Sequence, residues 1–231
     1  MKKLILFPQD KGGIGKSFVA TLLYDYLCDQ GVTLKAFDLD HANSTFNRFV
    51  PEAEFIDTDV DVGKLAVLDR LLLALEVADV VLADNRASGG EKILHYLDEV
   101  RLPELQTELG CALVFLVVAN DDKDAISQIA DLVDRYEDKV RWVVARNLRD
   151  GTLLRLFGQS NTRRRLLDLG AVEVDVPCLA EVTRNRLQLA DLTVGRGRSA
   201  EQLHLLDRSR CARYHHQMAA EFRKANEVLL P

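Results

Sequence analysis

The stretch Leu4-Ile5-Leu6-Phe7-Pro8-Gln9-Asp10-Lys11-Gly12-Gly13-Ile14-Gly15-Lys16-Ser17 decides how the rest of this 231-residue chain is read. Its first four residues form a short, continuous apolar run, as a strand buried on both faces requires. From Val19 onward the apolar residues fall at Val19, Leu22, Leu23, Tyr26 and Leu27. That spacing puts them on one face of a helix, which Gly31 closes. A strand, a glycine-rich turn and a helix N-terminus aim backbone N–H groups and the positive end of the helix dipole at one point, where a di- or triphosphate can sit. In such a cradle Lys16 reaches the β- and γ-phosphates, and the Ser17 hydroxyl completes the shell of a bound Mg²⁺.

The general pattern G-x-x-x-x-G-K-[ST] is broken at its first glycine position, which holds Asp10. With Lys11 beside it the segment reads K-G-G-x-G-K-[ST] and resembles the deviant Walker A loop of the ParA/MinD family of ATPases. The resemblance implies that Lys11, Gly12, Gly13, Ile14, Gly15, Lys16, Ser17 and Phe18 line bound ATP. It also implies that Lys11 reaches across a dimer interface to the nucleotide of the partner subunit. A glycine-rich turn carrying two solvated lysines is the plainer alternative.

Apolar runs of strand length recur at Leu34–Phe37, Val80–Ala83, Ala112–Ala119, Val140–Ala145 and Val172–Val176. Helical spacings alternate with them: Leu65, Leu68, Leu72 and Leu75 mark one helix, and Ile126, Ile129, Leu132, Val133 and Tyr136 another. This alternation predicts an α/β fold, a doubly wound and mostly parallel sheet with helices on both faces, in a single domain over residues 1–231. Ligands of such sheets bind at the carboxyl ends of the strands.

Acids stand at two of those ends. Asp38-Leu39-Asp40 follows the second strand and resembles the D-x-D of ParA/MinD proteins, in which the second aspartate, here Asp40, orients the attacking water and the first, Asp38, lies close to the metal shell. Either acid is also suited to cap a following helix. Val80-Val81-Leu82-Ala83-Asp84 has the form of a Walker B strand, whose aspartate reaches Mg²⁺ through a coordinated water. The family's D-x-P-like turn is replaced here by Asn85-Arg86-Ala87-Ser88-Gly89-Gly90. On the base side, Arg146-Asn147 resembles the family's strand end whose asparagine pairs with the adenine edge, and Val176-Pro177-Cys178-Leu179 matches the loop that covers the base. An ordinary turn role for Asn147 stays open. The run from Asp38 to Phe46, with Asp84-Asn85, looks most like the TraL type, small ATPases encoded with plasmid conjugal-transfer genes.

Composition agrees with a globular chain: 48% hydrophobic and 29% charged residues, with a net charge of −6. No signal peptide or membrane span is visible, and four scattered cysteines form no C-x-x-C, so reduced thiols in the cytoplasm are expected. The charge is divided unevenly. Residues 1–145 carry 15 Lys+Arg against 26 Asp+Glu, whereas residues 146–231 carry 15 against 10, and 14 of those 15 cations are arginines. Arg163, Arg164 and Arg165 are consecutive, and this half is the candidate surface for non-specific DNA or an acidic partner; solvated helix faces with internal ion pairs are the alternative. Ser199 and Gln202 have the form of a capping box opening a long terminal helix, with a stripe at Cys211, Tyr214, Met218, Phe222, Ala225 and Leu229. Val194–Arg198 reads as a flexible joint.

The function implied by the resemblance is an ATP-dependent dimerisation switch with slow, partner-stimulated hydrolysis, serving plasmid partition, DNA transfer or a protein cargo and using no membrane. A biosynthetic or metallocofactor-maturation enzyme on the same fold, or a nucleotide-binding scaffold that does not hydrolyse, stands beside it.

Overall fold

The computed structural model describes the chain except residues 41–44, 59–66, 86, 88 and 152. His41, Ala42, Asn43, Ser44, Leu65, Arg86 and Ser88 of the motifs above therefore lie outside the described residues. Seven strands form one sheet in the order β3-β2-β4-β1-β5-β6-β7, and every pairing is parallel. They are β1 (Lys2–Leu6), β2 (Leu34–Asp38), β3 (Glu54–Phe55), β4 (Val80–Asp84), β5 (Cys111–Ala119), β6 (Arg141–Leu148) and β7 (Val172–Pro177). The chain leaves β1 to build one side of the sheet and crosses back over it to build the other. The carboxyl end of β1 is therefore the topological switch point, where ligands of doubly wound sheets bind.

Alternation along the strands feeds two cores. All nine residues of β5 are buried. Leu113, Phe115, Val117 and Ala119 face one side, and Val114, Leu116 and Val118 face the other. On the first side pack α3 (Asp69–Ala74), α4 (Gly90–Glu99), α5 (Leu102–Leu105), α6 (Lys123–Tyr136), α7 (Arg155–Gly158) and α8 (Asn161–Asp168). On the second pack α1 (Lys16–Asp29), α2 (Thr45–Phe49), α9 (Glu181–Leu189), α10 (Val194–Gly197), α11 (Leu205–Arg223) and α12 (Asn226–Leu229). The stripe Val19, Leu22, Leu23, Tyr26, Leu27 is buried as its spacing requires, and so is Cys211, Tyr214, Met218, Phe222, Ala225, Leu229.

Three local expectations are corrected. The terminal helix opens at His204, whose side chain accepts from Leu206 N–H, and not at Ser199, because residues 200–203 turn before the helix begins. That helix also breaks after Arg223 and resumes as α12. The supposed joint at Val194–Arg198 is ordered packing: Val194, Gly195 and Gly197 are buried in α10, and Thr193 and the Gly195 N–H bind the buried Asp25 of α1 at 2.7 and 2.6 Å. A Cβ on Gly195 would lie 2.4 Å from the Asp25 carboxyl carbon, so glycine serves there for close approach.

Candidate nucleotide-binding site

The loop between β1 and α1 has the shape its glycines permit. Gly13 and Gly15 sit at φ 74° and 102°, in the left-handed region. Gly15 precedes α1, and no side chain caps that 14-residue helix, so its N-terminal N–H groups are left to an external acceptor. Lys16 is only 6% exposed and donates to the Lys11 carbonyl at 2.8 Å. Burial lowers its pKa, and Asp84, Asp10 and Asp40 nearby oppose that shift.

Asp84 is fully buried at the end of β4. The Ser17 hydroxyl approaches it and favours its charged form, but in a geometry that leaves both carboxylate oxygens without a hydrogen bond. Burial pushes the Asp84 carboxyl up to about 7. An unsatisfied buried carboxylate costs free energy that a cation would relieve. A hydroxyl and a single carboxylate beside a phosphate cradle suit Mg²⁺, which keeps several waters and takes few protein ligands. No cluster of three or more His, Cys, Asp or Glu able to hold a metal occurs among the described residues.

Asp38 is close enough to Asp84 for its charge to oppose that of the buried carboxylate. One of its oxygens accepts from Asp40 N–H at 2.8 Å and the other from Asn47 N–H at 2.7 Å, so its carboxylate also caps α2. Burial raises its pKa, against those backbone bonds. Asp40, two residues on, is buried near Lys16.

Lys11 points out of its own cradle. Its ammonium lies 2.7 Å from Asp124 and 3.5 Å from Asp122 at the start of α6, and the hydrogen bond with Asp124 raises its pKa. Asp10, in place of the first glycine, accepts from the Gly90 N–H at 2.5 Å and so ties the loop to the start of α4. A Cβ on Gly90 would come within 2.1 Å of the Pro8 carbonyl oxygen, which fixes glycine at that contact.

Beside the loop lies a cavity of about 220 Å³ lined by Gly15, Ser17, Phe18, Asn147 and Pro177, together with Thr21, Arg149, Cys178, Arg184 and Gln188. The first five were expected from sequence, and Cys178 belongs to the loop expected to cover the base. Thr21, Arg149, Arg184 and Gln188 were not expected, although Arg184 and Gln188 carry a readable signal: a polar pair four apart on a helix that follows the Pro177 loop. Asn147 donates to the Ile14 carbonyl at 2.8 Å and accepts from Arg149 N–H at 3.1 Å, so one amide hydrogen braces the phosphate loop and one remains. Tyr214 of α11 donates to the Pro177 carbonyl at 2.7 Å and stands 6.4 Å, ring to ring, from Phe18.

The arginines of the C-terminal half are largely returned to acids. Arg163 pairs with Glu173 at 2.7 Å, Arg165 with Asp134 at 2.6 Å and Arg198 with Asp29 at 3.2 Å, while Arg196 meets Glu52 and Arg186 and Arg210 share Asp207. All four cysteines are free, and no helix of the described residues is long and apolar enough to cross a membrane.

No family model matches the chain. It is 29% identical over 158 residues to Protein TraL of Escherichia coli, an alignment that spans 62% of this chain and 62% of that protein. It is 26% identical over 188 residues to Protein MobD of Acidithiobacillus ferrooxidans, covering 78% and 79% of the two chains. Among solved structures, the MinD cell division protein of Aquifex aeolicus matches with a TM-score of 0.53 at 12% identity, over 96% of this chain and 98% of that one. The K-G-G-x-G-K-S loop thus lies at the switch point of an all-parallel sheet whose fold is like that of MinD.

Proposed function

We propose that the chain, as one unit over residues 1–231, is an ATP-dependent switch in which ATP joins two copies and slow hydrolysis parts them. The observation that carries this reading is the convergence at the end of β1. An uncapped helix N-terminus, the buried Lys16 and the unsatisfied Asp84 surround one point. In this reading Lys16 neutralises the β- and γ-phosphates, and the backbone of Gly12, Gly13, Ile14 and Gly15 cradles them. Ser17 and Asp84 would hold Mg²⁺, which neutralises charge on the phosphates when bound. Asp40 orients the attacking water as hydrogen-bond acceptor. Phe18, Asn147, through its remaining amide hydrogen, and Pro177 take the base in the adjoining cavity. Lys11 serves the nucleotide of the partner copy, a role supported by an ammonium that points away from its own cradle. Its likeness to TraL supports a cargo in the DNA-transfer apparatus.

The test is nucleotide binding by the Lys16→Ala variant. Loss of the main neutralising charge is expected to weaken ATP affinity at least about 100-fold, since charge-assisted bonds to the phosphates are removed. Affinity within about threefold of the parent, where 1.4 kcal/mol is tenfold, would remove the loop from the function.

A further inference from the structure

Helix α9 is a wall with two working sides. Thr183 and Leu187 are buried and anchor it. On one side Arg184, Leu187 and Gln188 line the cavity beside the phosphate loop. On the other, Val182, Arg186 and Leu189 face an open groove of about 940 Å³, closed across from them by Leu206, Asp207 and Arg210 of α11. Spacings of three and four put each set on its own stripe of the helix.

The groove is apolar at its surface. Val182 is 56% exposed, Leu206 57% and Leu189 87%, and the adjoining Leu205 is 65% exposed. A contiguous set of large exposed side chains marks an interaction site more often than scattered single ones do. Its charge is one-sided: Arg186 and Arg210 share the single buried carboxylate of Asp207, leaving one positive charge in surplus on the wall. Residues 181–213 carry seven arginines against four acids; Arg196 and Arg198 are engaged by Glu52 and Asp29, and Asp191 by Arg48 at 3.2 Å, so the remaining charge of the segment is still positive. A second copy seated here about a two-fold axis would bring these arginines against their own counterparts. A nucleic acid would leave the leucines without partners. The occupant that satisfies both features has apolar residues at helical spacing with carboxylates flanking them.

We propose that the groove between α9 and α11 docks an acidic amphipathic helix of a partner protein, and that α9 transmits its seating to the nucleotide cavity. The docking stands on the groove alone, whereas the transmission rests on the nucleotide reading above. Because α9 is shared, a segment wedged against Val182 and Leu189 moves the helix that carries Arg184 and Gln188 into the cavity. A partner able to alter nucleotide release in this way supplies differential affinity for the two nucleotide states, which any such coupling needs.

The experiment titrates the full chain with a synthetic helical peptide of about 18 residues, five turns, bearing leucines at i, i+3, i+4 and i+7 and glutamates elsewhere. Controls carry lysine for glutamate, or the same composition with the leucines scrambled. Saturable binding in the range of about 10–100 μM is expected, weakened at least about tenfold by Leu189→Asp and by Val182→Asp, both at exposed positions that leave the fold intact. No binding at about 1 mM, or equal binding by either control peptide, would overturn the docking. The release rate of a fluorescent ADP analogue is expected to change at least about fivefold when the peptide is bound, the lower end of the usual range of coupling energies. An unchanged rate would overturn the transmission through α9. A chain that binds the acidic peptide but no ADP analogue would overturn the nucleotide reading while supporting the docking.

Discussion

At the scale of single residues, Asp84 makes the sharpest demand. Its carboxyl titrates near 7 in the fold against 3.8 unfolded, because burial opposes its charge. Folding therefore takes up a proton between those values. The cost is absent below the unfolded pKa, grows as the pH rises and is complete above the folded one. Replacing Asp84 by Asn removes the titration. The stability of Asp84→Asn relative to the parent, from urea unfolding, is expected to rise by up to about 4 kcal/mol between about pH 4 and pH 8. A difference that does not change with pH would contradict the burial argument. Gly15 makes a steric demand. At φ 102° an added Cβ would lie 2.7 Å from Asn147 Nδ2, whereas at Gly13, φ 74°, nothing stands within 4 Å. Gly13→Ala should cost about 1 kcal/mol for the left-handed backbone alone, and Gly15→Ala should cost more, about 2–3 kcal/mol, while displacing Asn147 from the Ile14 carbonyl. Equal urea midpoints for the two variants would remove the close contact from the account.

At the scale of elements, the sequence is most readable where burial leaves one choice. The run from Cys111 to Ala119 is apolar throughout and is buried throughout, and Val19, Leu22, Leu23, Tyr26 and Leu27 of α1 are all buried, with Ala20, Thr21 and Asp25 buried beside them. It is least readable where two local signals compete. Ser199 and Gln202 offered a capping box, but the chain is held by α10 against Asp25, a contact 170 residues distant, and turns once more before α11 begins. Asp38 was legible as an acid at a strand end; its use as the cap of α2 depends on Asn47 N–H, nine residues on. The long-range ties of the phosphate loop, Asp10 to Gly90 and Asn147 to Ile14, could not be read from spacing, because nothing local to the loop specifies them. The terminal helix gives a direct check on its packing. Phe222 is fully buried, 5.5 Å from the Tyr26 ring, so Phe222→Ala should cost about 3–5 kcal/mol in urea unfolding. A cost below about 1 kcal/mol, the scale of a surface change, would mean that α11 does not pack on α1 as described.

At the scale of the whole molecule, the uneven charge of the two halves is plain in the sequence, but its meaning is not. Pairing with Glu173, Asp134, Asp29, Glu52 and Asp207 absorbs six arginines of the basic half, and three of those acids, Asp29, Glu52 and Asp134, come from the acidic half. Much of the asymmetry is thus spent in holding the chain together, because ion pairs form across sequence distances that a count of charges does not see. Lys11 is the cation whose arrangement bears on assembly. In the single chain its ammonium is held by Asp124 and Asp122 on the surface of α6, in a pair exposed enough to be exchanged at little cost for phosphate oxygens. ATP-driven pairing of two copies through Lys11 is the central claim, and its most direct measurement is the sedimentation of three proteins with ATP and Mg²⁺: the parent, Asp40→Ala and Lys11→Ala. The account predicts that Asp40→Ala, slowed in hydrolysis by about 100-fold or more, accumulates as a dimer with ATP and not with ADP, while Lys11→Ala binds ATP with the affinity of the parent and stays monomeric. A Lys11→Ala variant that dimerises with ATP as the parent does would contradict it.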